Sequence, residues 1–129
     1  MTWTVPYKLW RGSFLPMVPV EVEGLGLIDA LVDSGAASSV FQSSIADSLG
    51  IEIERGERKM FRGAGGRILA YRHTLNVRIL EQAFPLTVFF SRDYLPSMNL
   101  LGRENFFRKF LVAFNEPARQ VTLEPTRAL

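Results

Sequence analysis

A mostly β fold is predicted, a small closed β barrel with one projecting hairpin and one or two short helices. Three observations predict it. Apolar residues recur with period two in short runs along the whole chain, as at Leu75, Val77 and Ile79. Those runs are punctuated by glycine, proline and asparagine, as in Gly24-Leu25-Gly26 and Asn115-Glu116-Pro117. Helical spacing shows in one window, where Ile45 and Leu49 stand four apart.

In chain order, residues 17–23 and 27–32 form a first hairpin turning at Gly24-Leu25-Gly26, and its second strand ends at Asp33. Residues 42–49 form a short helix, with Ser43 and Ser44 as candidate N-caps and Gly50 as C-cap. A second hairpin spans 51–72, climbing through Lys59-Met60-Phe61-Arg62 to Gly63-Ala64-Gly65-Gly66 and descending through Arg67-Ile68-Leu69-Ala70-Tyr71. Strands at 74–80 and 84–90 follow, then a loop with Tyr94, Pro96 and Asn99 leading into Met98-Asn99-Leu100-Leu101-Gly102. A turn or short helix at 103–107 precedes a closing hairpin of 110–114 and 120–123. An apolar strand running into a glycine and then a short helix occurs twice, at 27–49 and 98–107. That echo suits a barrel with approximate internal symmetry.

Composition bounds the partners. The chain has 129 residues, the size of one domain, and 47% hydrophobic with 22% charged residues is globular. We expect 1–129 to be a single domain. Fifteen basic residues against thirteen acidic give +2, too weak a balance to argue for nucleic acid. The densest basic run, Arg55, Arg58, Lys59, Arg62, Arg67 and Arg72, is interleaved with Glu54 and Glu57 and reads as a solvated hairpin rather than a phosphate stripe. The absence of cysteine excludes disulfides and thiolate chemistry. No run approaches the ~18 apolar residues of a membrane span, and the first ten residues lack the apolar core of a signal peptide. A cytoplasmic protein is expected, with no nucleic acid or membrane as partner.

One residue stands out chemically. Asp33 sits where an apolar strand leaves the core, followed at once by Ser34 and Gly35, and has no oppositely charged neighbour in sequence. A carboxylate in such a place is costly unless it is hydrogen-bonded or paired. Asp29, four residues earlier on the same strand, should face the same side. It suggests a second acid within the chain, although a solvated or turn-bound carboxylate is the simpler expectation. His73, the single histidine, has neither a Gly-x-Ser-x-Gly nucleophile nor an acid cluster to work with, and is expected at the surface or a strand end.

Three motifs occur in order: Leu31-Val32-Asp33-Ser34-Gly35-Ala36, Gly63-Ala64-Gly65-Gly66 at a hairpin tip, and Leu100-Leu101-Gly102-Arg103. Together they resemble the retropepsin-like aspartic proteases, the single-domain class whose pattern is apolar-apolar-Asp-Thr/Ser-Gly-Ala, a glycine-rich flap, and apolar-apolar-Gly. The resemblance spans roughly residues 17–124. It implies an aspartic endopeptidase without metal or cofactor, in which Asp33 of two chains meets across a two-fold axis and activates a water. Asp33, Ser34 and Gly35 would form the catalytic loop, and Ala36, Gly63, Ala64, Gly65, Gly66 and Leu101 would contact an extended peptide or protein substrate. Ser34 would brace the partner's loop. Val40 and Ile68 are further candidates for pocket walls, with core packing as the alternative.

Departures from the pattern matter. Ala37 and Ser38 stand where retroviral members often carry acids, leaving Arg103 without that partner, and Arg62 puts a charge in the flap. They leave two other functions open: a dimeric peptide-binding module with weak or no turnover, or a self-processing domain of a longer polypeptide. Trp3, Tyr7 and Trp10 near the start are either a partner-binding patch or simply an arm packing on the barrel, and the arm with 110–123 is a candidate for the interface of a homodimer.

Overall fold

The computed structural model describes residues 1–63, 66–93 and 97–126. Its strands and helices in order are β1 (Trp3–Pro6), β2 (Lys8–Trp10), β3 (Ser13–Leu15), β4 (Met17–Val22), β5 (Gly26–Val32), β6 (Ser39–Gln42), α1 (Ser43–Leu49), β7 (Glu57–Gly63), β8 (Gly66–Ile79), β9 (Gln82–Ser91), β10 (Asn99–Leu101), α2 (Phe106–Lys109), β11 (Phe110–Asn115) and β12 (Gln120–Pro125).

The main sheet has the order β4-β5-β10-β6-β9-β8-β7. A further antiparallel pairing, Glu21 with Arg78 and Val22 with Val77, joins β4 to β8, so six strands return on themselves in a ring. The projecting hairpin is β7 and the first half of β8, in register from Glu57 opposite Arg72 to Gly63 opposite Gly66. The expected mostly β fold, with a flap-like hairpin and two short helices, is present. A second sheet, β1-β12-β11, ties the first residues of the chain to the last described strands.

Period-two burial explains the ring. Val18, Val20 and Val22 of β4 all turn inward, as do Leu75, Val77 and Ile79 of β8 and Leu86, Val88 and Phe90 of β9. Phe106, Phe110, Val121 and Leu123 continue the same cluster into the second sheet. A fully buried phenylalanine stabilises by on the order of 2 kcal/mol. Phe106 and Phe110, 5.4 Å apart between ring centres, therefore dock the closing hairpin firmly onto the ring.

Several expectations need correction. The strands expected at 67–71 and 74–80 are one strand, β8, which pairs with β7 over its first part and with β9 from Tyr71 onward. Residues 51–56 are not a strand: Ile53–Arg55 is a 3-10 turn, with Ile53 fully buried beneath β8. No serine caps α1; Gln42 holds the N-cap position without a side-chain bond, while Gly50 closes the helix in the left-handed region at φ 72° as expected. His73 is not at a strand end. It lies within β8, half-buried, donating from Nε2 to the carbonyl of Ile53 at 2.8 Å.

Candidate active site

The loop of Asp33 is built by an insertion. β5 and β6 are consecutive in the chain, yet β10 lies between them, parallel to β5 and antiparallel to β6. The chain leaving β5 must therefore pass over the end of β10, and that loop is residues 33–38. Backbone bonds fasten the two together: Asp33 N–H donates to Leu101 O at 3.0 Å, Arg103 N–H to Ala36 O at 2.8 Å, and Glu104 N–H to Ala37 O at 2.9 Å. Inside the loop, Ala36 N–H donates to Asp33 O at 3.2 Å.

This crossing dictates one glycine and crowds a second. A Cβ on Gly102 would lie 2.4 Å from Ser38 O and 2.8 Å from Ala36 O, so only glycine lets β10 end beneath the loop. A Cβ on Gly35 would stand 3.3 Å from Asp33 Oδ1, the same oxygen that accepts the Gly35 N–H at 2.9 Å. Asp33 is half-buried, and the Gly35 bond is the one hydrogen bond of its carboxylate among the described residues. Its orientation is held through one oxygen.

Two side chains that sequence reasoning passed over complete the scaffold. Asn99 is buried in β10; its Oδ1 accepts from Gln42 N–H at 2.9 Å and its Nδ2 donates to Asp29 O at 3.2 Å, clamping β5 to the β6–α1 junction. Ser39, fully buried, accepts the Gly102 N–H on Oγ at 3.0 Å. The available signal was a lone amide in an apolar run, since a buried amide must find partners.

The pairings Leu31–Leu100 and Leu100–Val40 put those three residues on one face, and Asp33, two residues beyond Leu31, follows that alternation. Val40 packs there with Ala70, Phe89 and Phe61, so the root of the projecting hairpin adjoins the acid's side of the sheet. Leu101, expected on a pocket wall, is fully buried in the main core; half-buried Leu100 occupies the outer face instead. The cause is strand alternation, which places neighbours on opposite faces. Gly63 and Gly66 pair at the hairpin's end, Gly66 at φ 104°, whereas Ala64 and Gly65 lie outside the described residues, as do Tyr94 and Pro96. Ile68, opposite Phe61, is half-buried and Ser34 is exposed. Asp29 pairs with Lys8, an arm residue, rather than with Asp33. Arg103 is exposed and forms no ion pair among the described residues. Those residues also hold no group of acids, histidines or cysteines arranged to bind a metal ion.

Comparison with known proteins joins this geometry to the three motifs. The aspartyl protease family matches residues 18–104, from β4 through the end of β10 and the glycine beneath the Asp33 loop. The chain belongs to that family. Its fold is retropepsin-like. It is similar to a retropepsin-like aspartic protease from Rickettsia conorii, with TM-score 0.74 and 18% identity over 95% of this chain and 98% of that one. It also resembles the EIAV protease solved with the inhibitor HBY-793, with TM-score 0.59 and 16% identity over 78% of this chain and 92% of that one. Comparison with curated protein sequences gives no match. Among the described residues no helix is long and apolar enough to cross a membrane.

Proposed function

We propose that this family member is an aspartic endopeptidase that works as a homodimer, with Asp33 of each subunit supplying one half of the catalytic centre. The observation that carries the reading is the state of Asp33. A braced backbone crossing presents its carboxylate, one oxygen is held by Gly35 N–H, and no second acid of the chain bonds to it among the described residues.

Hydrolysis of a peptide bond by water needs a base to take the water's proton and an acid to polarise the carbonyl. Two carboxyls about 3 Å apart cannot both ionise, so they hold one proton between them and take the two roles. The ionised Asp33 deprotonates the water as its oxygen attacks the scissile carbon. The protonated Asp33 of the other subunit gives its proton to the carbonyl oxygen, forming a neutral tetrahedral diol. As the C–N bond breaks, the first Asp33 gives the water's proton to the leaving nitrogen and its partner takes a proton from a diol hydroxyl, which restores the pair. Each Gly35 N–H holds one carboxylate oxygen in place, so the pair needs little reorganisation during reaction. Ser34, exposed at the loop's edge, reaches across the axis to the partner's loop. The β7–β8 hairpin folds over an extended substrate and excludes bulk water, with Gly63 and Gly66 as its pivots.

Asp33→Asn tests the reading. The amide keeps an oxygen for Gly35 N–H but can neither accept nor share the proton. Cleavage of a peptide library should fall by roughly 10³-fold or more, with an unchanged thermal midpoint. Turnover persisting in that variant excludes Asp33 as the catalytic acid. An unmutated protein that binds peptides and cuts none is a binding module instead.

A further inference from the structure

The projecting hairpin carries unbalanced charge. From Glu57 to Arg72 it holds five cations, Arg58, Lys59, Arg62, Arg67 and Arg72, against the single acid Glu57. Register divides them. Arg58, Arg62 and Arg67 share one face, while Lys59 and Arg72 share the other with Phe61, Ile68 and Ala70.

That second face is the one packed on Val40 and Phe89, on the acid's side of the sheet. Phe61 meets Phe89 edge to face, with ring centres 5.0 Å apart. Lys59 Nζ stands 5.0 Å from the centre of Phe61 and 5.4 Å from that of Phe89; the Arg72 guanidinium carbon lies 5.6 Å from the Phe89 centre. Two cations thus converge on one ring. Neither forms an ion pair among the described residues, although Glu57 stands opposite Arg72 across the hairpin. By contrast Arg55, Arg78 and Arg92 each have a carboxylate partner. Ring faces hold cations in place without using their N–H donors. A carboxylate that reaches either cation takes up donors that the ring faces leave free.

We propose that Lys59 and Arg72 form the mouth of a substrate subsite for a glutamate side chain, the half-buried Phe61 and Ile68 taking its methylenes and the two cations its carboxylate. This subsite rests on the proteolytic reading of Asp33 and adds a substrate class to it: extended peptides with glutamate at one position near the scissile bond. Arg62 and Arg67, on the opposite face, are outside it.

The test uses peptides identical except for Glu or Gln, with the substitution scanned across the positions flanking the cleaved bond. At one position the unmutated protein should favour Glu in kcat/KM by about fivefold at low ionic strength, less at high salt. Lys59→Glu should invert that ratio, and Arg72→Met should reduce it. The same peptide pair, titrated by fluorescence anisotropy against Asp33→Asn protein, gives a readout without turnover. There the Glu peptide should bind more tightly, and adding Lys59→Glu should reverse the difference. Equal affinities, no binding, or a Glu preference indifferent to both substitutions would overturn the subsite. A binding preference intact in protein that cuts nothing would uphold the subsite and overturn the proteolytic reading alone.

Discussion

Gly102 shows how one residue can fix a site that it does not touch chemically. A Cβ on Gly102, one residue past β10, would lie 2.4 Å from Ser38 O, and the Asp33 loop is hung from the same stretch by the bond to Leu101 O. An alanine here meets main chain on two sides, so relief requires moving the loop or the strand. We expect Gly102→Ala to destabilise by about 3 kcal/mol or more, seen as a lower urea midpoint. Activity should fall further than the folded fraction does, because displacing the loop moves Asp33. Loss of activity only in proportion to unfolding would mean that the crossing does not position the acid. At this scale Asp33, Gly35 and Gly102 were legible, because an acid at a strand exit and glycines at fixed offsets are local signals. Leu101 misled for a physical reason: in an apolar pair on a strand one residue faces inward and one outward, and the letters are equivalent until register is known.

Among the elements, short amphipathic strands and the Gly50 cap could be read directly, whereas partner changes could not. The polar stretch Arg72-His73-Thr74 resembles a break, yet it lies inside β8 where the strand exchanges β7 for β9. The β8–β9 turn falls where the strands expected at 74–80 and 84–90 left it, although Leu80 and Glu81 hold positive φ, 46° and 69°, with none of the usual turn residues. Nor did the amino-terminal arm announce that β1 pairs with β12, because that contact joins the two ends of the sequence. Tyr7 locks that junction: its N–H donates to Arg119 O at 2.8 Å and its hydroxyl to Glu116 Oε1 at 3.2 Å. Burial, then the hydrogen bond and charge of Glu116, raise its pKa above the usual 10.0. The neutral phenol is therefore favoured in the folded state. Its contribution is complete below about pH 10, and it is lost as pH rises through the folded pKa. Unfolding followed from pH 8 to 11 should show a steeper alkaline decline for the unmutated protein than for Tyr7→Phe. Parallel curves would mean that Tyr7 ionises alike in both states.

The whole molecule poses the question of completeness. A ring of strands, a core continuous with the second sheet and a braced acid loop are all made within one chain, yet the chemistry assigned to Asp33 needs a second carboxyl. Edge strand β11 exposes Leu111 and Phe114, and the β2–β3 hairpin exposes Leu9 and Phe14, apolar surface of the kind that association covers. A composite site has a signature that an independent site cannot mimic. When Asp33→Asn protein is added in equal amount to a fixed quantity of active protein and subunits exchange freely, about half of the active chains come to sit opposite an inactive one. Activity should then drop to about half of that before mixing, and further as more variant is added. Two monomeric enzymes side by side would show no change. At constant active protein, dilution should also lower specific activity once the concentration nears the dimer dissociation constant, and the variant's inhibition should disappear if the two proteins are mixed without time to exchange. Inhibition that appears only after exchange would tie catalysis to the pairing of two Asp33 side chains. Activity indifferent to both mixing and dilution would place the second acid within a single chain.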